Sequence, residues 1–393
     1  MIQIKIQLLR KNFTYLTNNY ISIIHSIILF CKIMKKTIVT ITGIRPDFIR
    51  MAFVFKELDK HFNHILVHTG QHYDNKLSDV FFKQLDIRTP DHILASGKSS
   101  SNHFEQLAYL SIEVPKLFEK HKINPDLILF LGDSNSAAVS LPLKKAGYKI
   151  GHIEAGMRSY DKRMLEEINR TVCDHCSDIL FVYHEDYKKQ IFQENIKKNV
   201  FVVGNTIVEP LRLFEEKIRK EPKKNNIILM DIHRPENFNF RVRLENAIKF
   251  ANLCIEKYKL PVKLLYFKRL QDKLTEFSIN LGKIEMIELL PYEEYLTTVY
   301  NSKFIISDSG TGQEEPALLG TPVVVPRDFT ERPQSYENNC SVKLSVGNLE
   351  TNFEEVFTWL ESDKKMGTEW LGNGNTSKEI IEHIRDFLYY LPL

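Results

Sequence analysis

Three carboxylates follow apolar runs of the sequence at points where a strand leaves a core. Asp133 lies in LGDSNS, Glu154 in GHIEAG and Glu166 in LEEINR. Carboxylates that crowd together in a cleft disfavour joint ionisation, which raises pKa values and suits them to acid–base chemistry. A positioned acid or base contributes about 10²–10⁴-fold to a rate by moving a proton at carbon or at a leaving oxygen. A second interpretation stays open, in which Arg158 and Arg170 simply neutralise Glu154 and Glu166.

A glycine-rich stretch, SGTGQEEPALLG, is suited to binding an anion. It predicts a turn in which Ser309, Gly310 and Thr311 open a helix. Backbone N–H groups and the positive end of the helix dipole attract phosphate there, and glycine allows close approach. Glu314 and Glu315 follow, and one of them suits a ribose diol. Alone, the stretch also fits a tight turn with an acidic helix start, capped by Ser309.

Cations follow two other apolar runs. Arg45 lies in GIRPD, and His233 and Arg234 lie in DIHRPENF. Arginine donates paired hydrogen bonds to phosphate, so these residues suit a diphosphate. A single arginine at a strand end is usually a surface ion pair. Three anion-binding features in one chain nevertheless favour a nucleotide diphosphate as the ligand.

The elements that must position these residues alternate between short apolar runs and amphipathic stretches. The first half predicts helices in FIRMAFVFKELDKH, NHFEQLAYLSIEVPKLFEKH and SNSAAVSLPLKKAG, and strands in TIVTITG, HILVHTG, LILFLGD, KIGHIEAG, DILFVYH and NVFVVGN. The pattern restarts with strands in NIILMDIH, VKLLYF, KIEMIEL, KFIISDSG and TPVVVP. Apolar strands alternating with helices predict parallel sheets that are covered on both faces.

The length of 393 residues is too great for one compact core. The predicted fold class is α/β, with two Rossmann-like, doubly wound domains facing a cleft. We expect the domains to span residues 34–206 and 207–376, joined near a charged segment at residues 215–225. Ligands of such sheets bind at the carboxyl ends of the strands, so the chemistry should lie between the domains.

Composition restricts the partners and the compartment. A formal net charge of +3 argues against nucleic acid or a membrane surface as the main partner. Five cysteines without regular spacing fit a reducing compartment, and we expect a cytoplasmic location. The CDHC at residues 173–176 lacks a second Cys/His pair at zinc spacing, so we interpret it as two cysteines on a helix and expect no metal.

The first 33 residues differ from the rest of the chain. Their apolar patch, ISIIHSIILFC, is too short for a comfortable membrane span and contains His25. The segment also lacks the small-residue cleavage site of a signal peptide. We expect residues 1–33 to be an extension unrelated to the chemistry, without stable membrane insertion. A membrane-proximal anchor and a helix docked on the fold are the alternatives.

Taken together, the motifs resemble those of the UDP-N-acetylglucosamine 2-epimerase family, in its non-hydrolysing branch. The resemblance runs from about Lys35 to the C-terminus. It rests on nine motifs in the family's order: GIRPDFIRMAFV, TGQHYD, LGDSNSAA, GHIEAGMRS, EEINR, GNTIVEPL, HRPEN, SDSGTGQEEPALLGTPVV and RDFTERP.

The resemblance implies two Rossmann-like domains similar to the GT-B glycosyltransferases, with a C-terminal helix, about residues 377–393, packing back on the first domain. It implies interconversion of UDP-GlcNAc and UDP-ManNAc through elimination of UDP to 2-acetamidoglucal and re-addition, for surface polysaccharide precursors. No cofactor is implied, and none of the glycine-rich turns is a GxGxxG. A homodimer is expected by the same analogy.

The resemblance also assigns roles to individual positions. Asp133, Glu154 and Glu166 match the family's catalytic carboxylates, with His233 near the diphosphate. Supporting cations are Arg158, Arg170 and Arg234. Contacts to UDP are expected from Arg45, Ser309 and Gly310 at the phosphates, with Thr311 in the same loop, Glu315 at the ribose and Tyr295 beside the uracil.

Departures from the family pattern leave the substrate open. The family's GTRPE is GIRPD, and its SGGIQEE is SGTGQEE, which replaces a loop glycine by Thr311. Leu165 replaces a proline, and Phe267 begins FKR where a His-Pro stretch is usual. Gln71 and His72 match parts of an allosteric pocket for a second UDP-GlcNAc. The alternatives are a hydrolysing epimerase, a 2-epimerase of a diacetamido or uronic UDP-sugar, a glycosyltransferase or a nucleotide-sugar binder without catalysis.

Overall fold

The computed structural model describes residues 35–71, 82–99, 102–347 and 350–390, without the side chains of Arg45 and Ser99. The predicted extension at residues 1–33 and the candidate residue His72 lie outside these ranges. Within them, no helix combines the length and the apolar character needed to cross a lipid bilayer.

Seven of the described strands form a first sheet, in the spatial order β3-β2-β1-β4-β5-β6-β7, and every pairing is parallel. The strands are β1 (Thr37–Thr42), β2 (Asn63–His68), β3 (His92–Ile93), β4 (Leu127–Leu131), β5 (Ile150–Ile153), β6 (Ile179–Val182) and β7 (Val200–Val202). Strand β4, LILFL, is buried at all its positions, as a strand covered on both faces must be.

Six described strands form a second parallel sheet, in the order β10-β9-β8-β11-β12-β13. They are β8 (Ile227–Asp231), β9 (Val262–Leu265), β10 (Glu285–Ile287), β11 (Ser302–Ser307), β12 (Val323–Val325) and β13 (Ser341–Lys343). The predicted α/β fold with two doubly wound sheets is confirmed. The edge strands β3 (HI) and β13 (SVK) were not predicted, because each contains a single apolar residue.

Helices connect the strands of the first sheet: α1 (Arg45–His61), α2 (Ser96–Ser99), α3 (His103–Lys120), α4 (Asn135–Ala138), α5 (Ser140–Lys145), α6 (Leu165–Cys176), α7 (Glu185–Gln193) and α8 (Val208–Ile218). Those of the second half are α9 (Pro235–Phe238), α10 (Arg241–Tyr258), α11 (Lys268–Glu276), α12 (Tyr292–Asn301), α13 (Glu315–Leu318), α14 (Pro333–Glu337), α15 (Phe353–Glu361) and α16 (Thr376–Tyr389). Two 3₁₀ helices span Thr311–Gln313 and Glu369–Leu371.

Proline divides two stretches that were predicted as single helices. The helix predicted in SNSAAVSLPLKKAG is α4 followed by α5, because Pro142 cannot donate to the carbonyl four residues earlier. The helix predicted to open at Ser309–Thr311 is a 3₁₀ turn at Thr311–Gln313 followed by α13, which contains Pro316. The loop therefore ends in a short turn rather than in a long helix.

Both sheets reverse their strand order at one point, between β1 and β4 and between β8 and β11. Loops that leave neighbouring strands in opposite directions open a crevice there. The loop after β4 carries Asp133, and the loops after β8 and β11 carry His233 and Ser309. The topology thus places the predicted site residues at these two points.

The C-terminal helix α16 packs against α1 of the first sheet. Its Ile380 and Ile384 are fully buried, and the ring of His383 stacks on Phe201 of β7 at 3.9 Å between centroids. The chain therefore returns to its first half after completing the second sheet. The domain boundaries at residues 206 and 376 stay a prediction.

Candidate active site

Side chains from both halves of the chain meet between the two points of strand reversal. Arg332, which precedes α14, places Nη2 3.5 Å from Oε1 of Glu154, which follows β5. The Tyr187 hydroxyl of α7 donates to Oε1 of Gln334 at 2.8 Å, and Arg163 pairs with Asp328 at 3.0 Å. These contacts close the two halves around the predicted carboxylates.

Glu154 lies at the end of β5 and is almost fully buried. Its backbone has φ of 69°, in the left-handed region that costs a residue with a side chain roughly 1–3 kcal/mol. The carboxylate contacts the guanidinium of Arg50 from α1 and lies near that of Arg332. The chain thus accepts backbone strain to aim this carboxylate at two cations.

Asp133 follows β4 and contacts the fully buried Arg170 of α6. The Asn169 amide donates to the Asp133 carbonyl at 2.9 Å, which fixes the backbone as well. Burial favours the neutral carboxyl, but Arg170 and Arg234 outweigh it and lower the pKa of Asp133. Asp133 is therefore a carboxylate at neutral pH, able to accept a proton.

Glu166 lies in the first turn of α6 and is partly exposed. It faces two residues that follow β8 in the other half, Arg234 and Glu236. Burial lowers the pKa of Arg234, but the charges of Glu331 and Glu166 outweigh it and raise that pKa. The charge of Glu166 also contributes to the raised pKa of Glu236. Burial is the largest cause of the raised pKa of Glu236. Glu166 thus joins the cluster from across the interface.

The interpretation in which Arg158 and Arg170 neutralise Glu154 and Glu166 is wrong. Arg158 instead pairs with Asp174 at 2.8 Å and with Glu194 at 2.7 Å. Arg170 pairs with Asp133 and, at 3.3 Å, with Glu167. Glu166 and Glu167 both lie within one helical turn of Arg170, and the ion pair forms with Glu167.

A buried ion cluster lies beside these carboxylates and was missed by sequence reasoning. Glu331 is nearly fully buried and accepts from Arg327 at 2.7 Å and from Arg332 at 2.6 Å. Arg332 also donates to Glu314 at 2.5 Å. Burial opposes ionisation of Glu331, but the arginines lower its pKa well below the usual range. The only signal in the sequence was the unassigned motif RDFTERP.

His233 follows β8 and is about one-third exposed at its side chain. Its Nδ1 lies 2.9 Å from Asp231 and 3.5 Å from Asp308, and its ring lies 5.4 Å from that of Phe267. Asp308 also accepts the backbone N–H groups of His233 and Arg234. Burial disfavours the imidazolium, but Asp231 and Asp308 outweigh it and raise the pKa of His233 to about 9. The ring is a cation at neutral pH.

Glu315 begins α13 and is almost fully buried beside Tyr292 and Tyr295. Burial raises the pKa of Glu315 to about 8, although the Tyr292 hydroxyl acts in the opposite direction. Burial, Glu315 and Asp231 all raise the pKa of Tyr295. Because Asp231 ends β8, Tyr295 lies near the carboxyl end of that strand. A carboxyl flanked by aromatic rings suits the ribose and base of a nucleoside.

The loop after β11 approaches the buried ion cluster closely. A Cβ on Gly310 would lie 2.5 Å from Nη1 of Arg332, so a side chain at this position would displace the guanidinium. The Ser309 and Thr311 hydroxyls lie 3.2 Å apart. Arg45 opens α1 at the corresponding end of the first sheet, and its side chain lies outside the described residues.

The remaining predicted features are the allosteric pocket and the two cysteines of CDHC. Gln71 follows β2, and its Oε1 lies 3.1 Å from a Cβ built on Gly43; His72 is outside the described residues, so the allosteric pocket stays a prediction. Cys173 and Cys176 are buried thiols on α6, as the helix interpretation expected. Among the described residues, no group of three or more His, Cys, Asp and Glu side chains is arranged to hold a metal ion.

The sequence matches the family model of UDP-N-acetylglucosamine 2-epimerase over residues 56–385. The chain belongs to this family. Its members are epimerases, so the protein is an isomerase. The fold and the recognised motifs agree with this assignment.

Relatives of the family extend along nearly the whole chain. The UDP-N-acetylglucosamine 2-epimerase of Methanococcus maripaludis is 35% identical over 363 residues, covering 87% of this chain and 96% of the relative. The UDP-2,3-diacetamido-2,3-dideoxy-D-glucuronate 2-epimerase of Pseudomonas aeruginosa is 31% identical over 358 residues, covering 88% and 99%. The Methanocaldococcus jannaschii UDP-GlcNAc 2-epimerase, solved with UDP-GlcNAc and UDP, superposes with a TM-score of 0.81 at 31% identity, covering 88% and 99%.

Replacing Arg332 by methionine tests the buried ion cluster. The change leaves Glu314 and Glu331 buried without their shared cation, and removing one member of such a cluster costs about 3–5 kcal/mol. We expect the free energy of unfolding in urea to fall by that amount. Arg241→Met is the matched control, because its pair with Glu245 is exposed and should contribute about 0–1 kcal/mol. Equal stability of the two variants would refute the role of Arg332.

Proposed function

We propose that the protein is a non-hydrolysing UDP-GlcNAc 2-epimerase that supplies UDP-ManNAc for surface polysaccharide precursors. The observation that carries the proposal is the meeting of Asp133 and Glu166 with Arg234, and of Glu154 with Arg332, across the interface between the halves. Carboxylates suit proton transfer at the sugar, and the cations suit the diphosphate. Residues of both functions face one another across the same interface.

The reaction requires both a base and an acid. A base takes the proton from C2 while the C1–O bond to UDP breaks, which leaves 2-acetamidoglucal and UDP. UDP then adds back to C1, and an acid protonates C2 from the other face. Asp133, held ionised by Arg170 and Arg234, suits proton acceptance. Glu154 and Glu166 are the other two candidates for proton transfer, and no cofactor is required for these steps.

UDP would be held mainly by the second sheet. The backbone of Ser309 and Gly310 and the His233 imidazolium suit the diphosphate, whose charge grows as the C1–O bond breaks. Glu315 suits the ribose hydroxyls, and Tyr295 suits the uracil face. In this proposal, most nucleotide contacts lie on the second half of the chain and proton transfer lies on the first.

A modified UDP-sugar is the second candidate substrate. The Pseudomonas aeruginosa relative is named for a diacetamido glucuronate, and its identity of 31% is close to that of the GlcNAc enzymes. Two departures from the family pattern lie close to the candidate site. Thr311 is beside Ser309 in the loop after β11, and the ring of Phe267 is beside that of His233. Homodimer formation, a cytoplasmic location and the absence of nucleic-acid partners stay predictions.

Product analysis tests the proposed reaction. We expect purified protein with UDP-GlcNAc to give a stable mixture of UDP-GlcNAc and UDP-ManNAc, resolved by ion-pair chromatography. Accumulating UDP and free ManNAc would contradict the non-hydrolysing assignment. No conversion of UDP-GlcNAc, with conversion of a UDP-diacetamido sugar, would favour the second candidate.

Substitutions of the three carboxylates, compared with one control, test whether they take part in turnover. Asp133→Asn, Glu154→Gln and Glu166→Gln should each reduce kcat by about 10²–10⁴-fold at a temperature where circular dichroism shows the variant folded. The melting temperature should fall in the first two, because Asp133 and Glu154 pair with buried arginines. Glu185→Gln changes an exposed carboxylate of α7 and should leave kcat unaltered. Near-normal rates in all three site variants would show that the chemistry lies elsewhere.

The affinity for UDP should depend on pH through His233. Its raised pKa means that the ring is charged below about pH 9 and neutral above, so attraction to the diphosphate is lost as the pH rises. A charge-assisted hydrogen bond contributes about 1.5–3 kcal/mol, and tenfold in Kd corresponds to about 1.4 kcal/mol. Calorimetry from about pH 7.5 to about pH 10 should therefore show Kd rising by up to about tenfold, since about a tenth of the rings stay charged at the upper pH. His233→Gln should bind more weakly with a flatter profile; parallel profiles would contradict the role.

A further inference from the structure

A fully buried histidine and aspartate, His152 and Asp174, lie next to the backbone that carries the candidate carboxylates. His152 Nδ1 is 2.7 Å from Oδ1 of Asp174, and its Nε2 is 2.7 Å from the carbonyl oxygen of Gly132. Both side chains have no exposed surface. Asp174 also pairs with Arg158 at 2.8 Å and accepts the backbone N–H of Gly156 at 3.1 Å.

The partners of His152 determine its protonation. A carbonyl oxygen only accepts hydrogen bonds, and Asp174 is held as a carboxylate by Arg158 and by the N–H of Gly156. A neutral imidazole has one N–H and would present a lone pair to one of these acceptors at 2.7 Å. Two acceptors at that distance therefore require an imidazolium that donates from both nitrogens.

The electrostatics of the surrounding groups agree with this geometry. Burial alone would favour the neutral ring, but Cys173 and Asp174 outweigh it and raise the pKa of His152 well above its ordinary value. Asp174 has a lowered pKa, because His152 and Arg158 overcome its burial. Glu194, the second partner of Arg158, completes the set of charged groups around the pair.

The pair ties together the two segments that carry the candidate proton-transfer groups. Gly132, whose carbonyl accepts from His152, directly precedes Asp133. His152 itself lies two residues before Glu154, and Gly156, held by Asp174, lies two residues after it. The strained left-handed backbone of Glu154 is thus fixed on both sides by one buried pair.

We propose that His152 is a positioning residue for the epimerisation, acting as a doubly donating imidazolium that holds the backbone of Asp133 and Glu154 in register. The inference rests on the proposed function, because Asp133 and Glu154 serve there in proton transfer. It predicts an effect on turnover that is separate from substrate binding, since most of the groups suited to UDP lie on the other sheet.

The chain provides a matched control in His64 of the same sheet. This ring is also fully buried, with Nδ1 2.6 Å from Asp59. Its Nε2 faces the hydroxyl of Thr40 at 2.8 Å, and a hydroxyl donates as readily as it accepts. His64 is therefore satisfied as a neutral ring, and burial, the largest cause, lowers its pKa. It lies away from the carboxylate cluster.

Amide variants separate the two hydrogen bonds of His152. Asparagine places its amide nitrogen near the Nδ1 position and can restore only the bond to Asp174. Glutamine reaches the Nε2 position and can restore only the bond to Gly132. A misplacement of about 1 Å costs about 10²-fold in turnover, so we expect kcat to fall by about 10²-fold in His152→Asn and by less in His152→Gln. KM should stay within about threefold.

His64→Gln should lower the melting temperature without a matching loss of kcat. The proposal would be overturned if both His152 variants kept wild-type kcat, if they lost kcat equally and in proportion to their melting temperatures, or if KM rose while kcat did not change. Because these comparisons are made against active wild-type protein, inactivity of the wild type would count against the proposed function and not against His152.

Protonation of the wild-type ring is measured independently of activity and of variant folding. In ¹⁵N-histidine-labelled protein, both nitrogens of a second imidazole besides His233 should show imidazolium shifts from about pH 6 to about pH 9. That signal should be absent from His152→Gln and present in His64→Gln. A neutral ring at His152 in this range would overturn the proposal.

Discussion

Burying charge between the two halves of the chain is the constraint on which the site depends. An ion removed from water loses several kcal/mol of solvation, and it regains this only from well-placed partners. Glu314 and Glu331 of the second half share Arg332 with Glu154 of the first. One guanidinium therefore serves carboxylates on both sides, so the site is complete only when the halves are together. The buried carboxylates of both halves are therefore neutralised only when the two sheets are assembled.

The same constraint separates the two kinds of chemistry. On the first sheet, Asp133 and Glu154 are carboxylates aimed inward by arginines and by a buried histidine behind them. On the second sheet, carboxylates such as Asp231 and Asp308 instead hold a histidine cationic. For the proposed reaction, one surface supplies groups suited to proton exchange with the sugar, and the other supplies cations suited to the departing diphosphate. The ion pairs Arg332–Glu154 and Arg163–Asp328 hold these surfaces against each other.

Much of the fold was predictable, because parallel strands that are buried on both faces are apolar along their length. Strands such as Leu127–Leu131 needed no tertiary information. Pro142 and Pro316 indicate that the helices divide there. Both divisions were missed because more weight was given to the helical spacing of apolar residues. The edge strand His92–Ile93 is defined by its neighbour and not by its own residues.

The members of the site were more predictable than their pairings. Strand ends identified Asp133, Glu154 and His233, because the topology requires ligands to meet there. The partners of Arg158 and Arg170 were not predictable, since an ion pair depends on tertiary geometry to within a few ångströms. Glu331 and Arg332 follow no strand directly, and their burial gave no local signal in the sequence.

The most direct test of the account is proton NMR of the wild-type protein with UDP-GlcNAc in deuterated water. The account predicts that deuterium enters C2 of the sugar while UDP-ManNAc signals grow, because the carboxylates exchange protons with solvent between removal and return. Growth of UDP-ManNAc without deuterium at C2 would contradict it, since inversion would then proceed without a solvent-exchangeable proton on these groups.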